Sequence, residues 1–403
     1  MNQCEPIILK PRSIPYPYRG ILAICSDLDE TVDRTVYCEI MRFLNTRETT
    51  PMGEGAGLEV GNSIYFDMPK NQFSYWNTDE TGRQMIRTLI RSGHIDCIHS
   101  FGDLATSRED AARSLDELDH YQCYLKAWVD HGTAATNFGA DIMQGHGDEP
   151  GHRAYHADMT TQFGVQYVWR GRVSSVIGQE VSPSLKGIWR TRHPLISART
   201  IAKEWTKRRL GMAGNEKYHS HASNRALFSA TLRDGRKIYE FMRENPCWQG
   251  VGRSATAEGL GHVLTPSFLN QLATRNGCCI LYTHLGKVKD PHKPFDTKTC
   301  AALYHLSDRM EAGEILTATT VRVLDYLQMR KTIQIYARLE KSVLHINLCR
   351  KNNLPLDGVS FEVPLCNDYV VTCDEKTVAC NVYRYADSAI IALPWPKLEF
   401  PEI

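Results

Sequence analysis

Along this chain, apolar runs that stop abruptly at polar clusters alternate with segments whose apolar positions recur every three or four residues. Ile21 to Cys25 is continuous and apolar, and it ends at Ser26-Asp27-Leu28-Asp29. A short run of this kind, bounded by polar residues, predicts a strand covered on both faces. Residues 81 to 92 show the helical spacing, with apolar Met85, Ile86, Leu89 and Ile90 and a stop at Gly93. Residues 95 to 98 predict a strand ending at His99. Residues 107 to 120 predict a helix opened by a Ser107/Asp110 capping box, with Ala111, Leu115 and Leu118 on one face. Further strands are expected over Tyr124 to Val129, ending at Asp130-His131, over Phe163 to Trp169, and over Ile280 to Tyr282, ending at Thr283-His284. A last strand over Gly313 to Ala318 precedes a helix from Thr320 to Met329.

Strand and helix in alternation imply right-handed crossovers and a parallel sheet, open or closed into a barrel. Strands that end in Asp, His and His favour a barrel with a shared upper face. The stretch from 140 to 225 is irregular and rich in Gly, His and Arg, and reads as long loops over that face. From 331 the texture changes to short strand-like runs between turns: Thr332 to Ile335, Val343 to Leu348, Val359 to Val363, Tyr369 to Thr372, Thr377 to Tyr383 and Ala389 to Leu393. The expected organisation is therefore a β/α-barrel domain over 1–330 and a small all-β domain over 331–403. The proline-rich leader up to Tyr18 is expected to wrap the surface as extended chain.

Composition narrows the class without naming a reaction. The chain has 403 residues, ordinary apolar and charged fractions and a net charge of +1, which gives no electrostatic case for nucleic acid or a membrane surface. No run is long enough to span a bilayer, and Met1 to Pro11 is too weakly apolar for a secretory signal. The 13 cysteines are odd in number and lack a Cys-x-x-Cys pair, so a reduced, cytoplasmic setting is expected.

Candidate chemistry gathers at the strand ends. Alone, Asp27 and Asp29 are equally compatible with an acidic turn that caps the next helix. His99 and Asp103, one helical turn apart if their loop coils, join Asp29 in an Asp/His/Asp set suited to a divalent metal with an open position for water. His131 is a fourth candidate. His284, not needed by the metal, suits protonation of a leaving group. Asn137 and Asp130 flank His131 in sequence and are placed to orient it. The indoles of Trp128, Trp169 and Trp189 are candidates for stacking on a sugar, with core packing expected for at least one. Arg190 and Arg192, with Lys207-Arg208-Arg209 and the histidines at 219 and 221, could receive a phosphate, although a charge run is more often a solvated face.

These motifs resemble the polysaccharide-deacetylase superfamily, carbohydrate esterase family 4 and its distant relatives. The family's Thr-Phe-Asp-Asp-Gly corresponds to Cys25-Ser26-Asp27-Leu28-Asp29, with one residue inserted between the acids. Its His-Ser/Thr-x-x-His corresponds to His99-Ser100-Phe101-Gly102-Asp103, with aspartate in place of the second histidine. Its late Leu-x-His corresponds to Leu281-Tyr282-Thr283-His284, one residue longer. The resemblance covers about residues 18 to 330 and is strongest to divergent members from bacterial surface-polysaccharide (O-antigen) gene clusters. It implies a distorted β/α barrel and a zinc-dependent amidohydrolase that removes an acetyl or formyl group from an amino sugar in lipopolysaccharide assembly. Asp29, His99 and Asp103 or His131 would hold Zn2+, or another divalent metal. Asp27 would take the proton from water and His284 would protonate the departing amine. Asn137, Trp128 and Arg190 would line the substrate, an amino sugar or glycan that is free, nucleotide-linked or lipid-linked. Two rival readings remain: a barrel-type glycoside hydrolase with paired carboxylates, and a non-catalytic glycan-binding protein of the same pathway.

Overall fold

A computed structural model describes residues 7–28, 30–189, 193–247 and 256–403. Eleven strands form one large, mostly parallel sheet. They are β1 (Gly20–Ser26), β2 (Asn62–Ile64), β3 (Ile95–His99), β4 (Ala127–Val129), β5 (Tyr167–Trp169), β6 (Val173–Ser174), β7 (Leu227–Thr231), β8 (Lys237–Phe241), β9 (Arg243–Glu244), β10 (Cys278–Thr283) and β11 (Ile315–Thr317). The order is β7-β8-β5-β4-β3-β2-β1-β10-β9-β6, with β11 also on β1, and only β7–β8 is antiparallel. Met242 alone separates β8 from β9. Yet β8 pairs with β5 on one side of the sheet, and β9 pairs with β10 on the other. The sheet therefore curls back on one continuous segment, an α/β architecture consistent with a distorted barrel.

Alternation along each strand sorts its side chains into two cores. Leu22 and Ile24 of β1, with Cys279 and Leu281 of β10, pack outward against the helices Arg34–Asn45, Glu80–Arg91, Pro266–Thr274 and Thr297–Glu311. Ile21, Ala23 and Cys25, with Cys97, Val129, Phe241 and Tyr282, pack inward against the helix Thr320–Thr332. Filling both sides explains why β1 and β10 are unbroken apolar runs. Asp325 of the inner helix accepts hydrogen bonds from Tyr167 Oη at 2.7 Å and Lys126 Nζ at 2.8 Å, which ties that helix to the sheet.

Local chemistry sets several boundaries. Ser107 and Asp110 form the expected reciprocal capping box of the helix Arg108–His120, and Gly93 follows the helix Glu80–Arg91 with φ of +80°. Among the described residues every cysteine is free, and no helix is long and apolar enough to cross a membrane.

Several expectations change. Of the strand expected over Tyr124 to Val129 only Ala127–Val129 forms. Phe163 ends a helix, Ala157–Phe163, and only Tyr167–Trp169 is strand. The supposed loop region contains a 19-residue helix, Pro194–Met212. Its inward residues Ser197, Glu204 and Gly211 are polar or small, so it carries no apolar stripe facing the core. The leader is not simply draped over the surface. Ile7–Leu9 pairs with Gln334–Glu340 as an edge strand of the C-terminal β module, and Ile14 is buried. That module is built of two small sheets. The first expected strand is displaced to Gln334–Glu340 because Thr332 ends the preceding helix, and the run expected over Thr377 to Tyr383 is split into Lys376–Thr377 and Asn381–Arg384. The module's core is continuous with the inner helix.

Trp128, proposed from sequence to stack on a sugar, lies on the outward side of β4 and is fully buried. Its indole packs on Phe101, Phe138 and His156 and donates to Asp130 Oδ1 at 2.7 Å, so no face is open to a ligand. We expect Trp128→Ala to cost about 3–5 kcal/mol in urea denaturation. A loss under about 1 kcal/mol would mean that this core is not packed as described.

Candidate active site

The carboxyl ends of the parallel strands fall in two register groups, Thr283 with Ser26 and Ser26 with Asn62, then His99 with Val129 and Val129 with Trp169. Between them Asn62 is paired with Ile95, so β3 runs on to His99 beyond the end of β1. The two-residue alternation continues past these ends. Asp27 follows inward Cys25, His99 follows Cys97, His131 follows Val129, Arg243 follows Phe241, and His284 follows Tyr282. Five polar side chains from separate strands are thereby aimed at the same side of one rim.

Asp27 is the hub, only 1% exposed. Arg243 grips it through two parallel contacts, Nη1 to Oδ2 at 2.6 Å and Nη2 to Oδ1 at 3.0 Å. His99 Nδ1 lies 3.7 Å from Oδ1, and His284 Nε2 lies 3.8 Å from Oδ2. Burial by itself would raise the Asp27 carboxyl, but the Arg243 guanidinium, helped by His99 and His284, holds it well below the usual carboxylate range. Arg243 is itself fully buried, with its guanidinium carbon 4.2 Å from the Trp169 ring centre and 4.9 Å from that of Tyr282. These faces supply cation–π attraction where water cannot reach.

His99 is enclosed. Ser63 Oγ is 3.1 Å from Nδ1 and Tyr65 Oη is 3.5 Å from Nε2, while the Tyr65 ring stacks on the imidazole at 4.3 Å. Burial pushes this histidine well below its ordinary value, so it is neutral at pH 7. His284 contacts Tyr282 Oη at 3.3 Å. Further along the rim, His131 Nδ1 meets Asp103 Oδ1 at 2.9 Å, and the His131 ring lies 5.0 Å from both His99 and Tyr65. Gly102 makes the Asp103 loop possible. It has φ of +99°, and a Cβ there would fall 2.2 Å from the Asp67 carbonyl oxygen.

Of the residues singled out from sequence, Asp27, His99, His131, Asp103 and His284 gather on this rim. Asn137 is fully buried. Its Oδ1 accepts from the His131 backbone N–H at 2.9 Å and its Nδ2 donates to the His131 carbonyl at 3.0 Å. It braces the His131 loop and leaves nothing for a substrate. Asp130, beside it, accepts from Trp128 and from the Phe138 N–H, and burial raises its carboxyl to about 7. Asp29 and Arg190 lie outside the described residues.

Sequence reasoning missed Arg243, Ser63, Tyr65 and Tyr282 as members of the site. Asn62-Ser63-Ile64-Tyr65-Phe66 opens on two polar residues, and Ile238 to Met242, which leads into Arg243, is interrupted by Glu240, so neither carried the unbroken apolar signal of β1.

The imidazoles of His99 and His131 and the carboxylate of Asp103 are metal-donor types, and they are the nearest approach to a ligand set. Among the described residues, however, no group of three or more His, Cys, Asp or Glu side chains is arranged to hold a metal ion. His99 has Ser63 and Tyr65 against its two nitrogens, and Asp103 is turned to His131. These described residues alone do not make a metal centre.

The charges fix a pH dependence. His99 is kept neutral in the fold but protonates freely when unfolded, so its contribution is fully present above about 6.5 and is lost as pH falls below it. Asp27, held low in the fold, adds a contribution present above about 3.8 and lost as pH falls towards its depressed value. His94 and His156, both pushed down by burial to about 4, act in the same direction as His99. Asp96, Asp130 and Glu244, raised by burial to about 6, 7 and 8, act in the opposite direction over the same range, so the His99 contribution is read as the difference between wild type and His99→Gln in urea titration. His99→Gln should lose less stability than wild type between pH 7 and 5, and an identical slope over that range would contradict a buried neutral His99.

Comparison with protein-family models, with curated proteins and with solved structures finds no match for this chain, so its functional reading rests on the geometry of the rim.

Proposed function

We propose that this chain is a hydrolase that cleaves the amide bond of an N-acyl amino sugar, with Asp27, His99 and His284 as its working centre. The observation that carries this reading is the convergence of His99, His284 and Arg243 on one buried carboxylate at the strand ends. An amide needs two things from such a site: a proton acceptor for attacking water and a proton donor for the leaving nitrogen. Asp27 is ionised at any working pH and accepts. His284, on the Oδ2 side of Asp27, is the imidazole placed to donate.

Arg243 makes Asp27 a weak base, and a divalent cation, if one were held beside it, would acidify the water on which it acts. In the zinc-dependent form of the proposal, Asp29, His99 and either Asp103 or His131 would hold the cation. A glycoside hydrolase is less well supported. It needs one carboxylic acid raised towards neutrality, whereas Asp27 is driven the opposite way and Asp103 is hydrogen-bonded to His131.

The test is release of acetate or formate from N-acylated amino sugars by the purified protein. His284→Ala and Asp27→Asn should each lower turnover by about a thousandfold while far-UV circular dichroism shows a folded chain. His284→Ala is the more informative of the two, because Asp27→Asn also leaves Arg243 buried without its counter-charge. Near-full activity of His284→Ala would sink the role assignment. Metal analysis of wild type and His99→Ala separates the two forms of the proposal. A metal-free wild type that still hydrolyses amides would remove the zinc and leave the cluster.

A further inference from the structure

The helix Pro194–Met212 is built inside out. The residues it turns inward are Ser197, Glu204 and Gly211. Glu204 is buried against Lys207 Nζ at 2.9 Å and His221 Nδ1 at 3.5 Å, and Lys207 also donates to the Val173 carbonyl at 2.9 Å. Gly211 sits so close to the next segment that a Cβ would fall 2.1 Å from the Tyr218 carbonyl oxygen. This polar, small-residue seam seats the helix on the short helix His219–Ser223 and the turn before it. It contributes almost nothing to a hydrophobic core.

Most of the helix's large apolar residues are exposed, with Ile201 half-buried. Leu195 is 85% exposed, Met212 64% and Trp205 52%, and Ile196 and Leu210 are exposed as well. Leu195, Ala198, Ala202, Trp205 and Met212 recur at spacings of three and four, with Arg209 completing the series, and all six are exposed. They form one stripe along a helix about 28 Å long. Solvated faces of globular helices are normally charged, and large apolar side chains exposed together along one helix, here interrupted only by Arg209, mark an interaction surface.

Charge identifies the partner. Arg199, Lys203 and Arg209 are exposed beside or within the stripe, Arg208 is half-buried, and the helix's only acid, Glu204, is turned inward. The Arg209 guanidinium carbon lies 5.1 Å from the Trp205 ring centre, an arrangement that keeps a cation at the edge of the indole. A second copy of this chain would bring two positive faces together, which disfavours self-pairing. A surface that offers both apolar depth and negative charge meets both halves of the pattern: apolar side chains enter the acyl boundary while arginine and lysine remain among the headgroups. The chain's net charge of +1 hides this local excess because acids elsewhere balance it.

We propose that the exposed face of Pro194–Met212 docks the protein on an anionic lipid bilayer, with Trp205 and Met212 inserted and Arg199, Lys203 and Arg209 at the phosphates. The attachment is peripheral, since this helix does not qualify as a membrane span.

The full chain should co-sediment with phosphatidylcholine vesicles containing about one-third phosphatidylglycerol, should not with phosphatidylcholine alone, and should release as salt rises. Trp205→Glu and the pair Arg199→Glu/Lys203→Glu should each weaken partition by about tenfold or more. Trp205→Phe should keep most of it. These side chains are exposed, so the melting temperature should not move. Failure of wild type to bind anionic vesicles, or unchanged binding by Trp205→Glu, would overturn the proposal. So would self-association of wild type that Trp205→Glu abolishes without any vesicle binding, which would make a second copy the occupant. None of these outcomes depends on catalytic activity.

Discussion

The upper face of this protein depends on a buried ion pair, Asp27 with Arg243. Removing two charges from water is expensive, and their attraction offsets that cost only when geometry and additional contacts are good. Here the contacts are bidentate, the guanidinium lies over the faces of Trp169 and Tyr282, and the Asp27 backbone N–H is tied to the Thr283 carbonyl at 3.0 Å. The pair spans β10, which lies between β1 and β9 in the sheet. It therefore fixes the relative height of three strand ends as well as the ionisation of one carboxylate.

From that fixed negative charge the rest of the rim follows. His99 and His284 flank the two oxygens of Asp27, and each is further positioned by a hydroxyl group: Ser63 and Tyr65 for His99, Tyr282 for His284. His131 and Asp103 form a second, more exposed pair beside them. A group that is always ionised at the bottom of the site and imidazoles at its edges divide the labour of holding charge and moving protons.

The distribution of apolar surface follows a different constraint. The inner helix Thr320–Thr332 fills the inward side of the curled sheet, and the C-terminal module extends the same core. The core is complete without the helix Pro194–Met212, most of whose large apolar residues are left outside. A polar seam can hold such a helix because Glu204, Lys207 and His221 satisfy one another where they are buried.

The sequence by itself determined the elements whose burial is two-sided or whose caps are local. Periodicity placed β1, β3, β10 and the helices Glu80–Arg91 and Arg108–His120, and turn spacing placed most strands of the C-terminal module. It also singled out Asp27, His99, His131 and His284, because a polar residue that ends an apolar strand must lie at the sheet's rim. What it could not determine was which face each side chain takes and which distant residue it meets. Trp128 is one step out of phase with the inward row, and only the pleat decides that it joins the outer core. Arg243 lies 216 residues from Asp27, and no local pattern records a pairing made by the curl of a sheet. The helix Pro194–Met212 escaped notice for a related reason: amphipathic reading assumes an apolar stripe facing a core, and here tertiary packing turned that stripe to the outside.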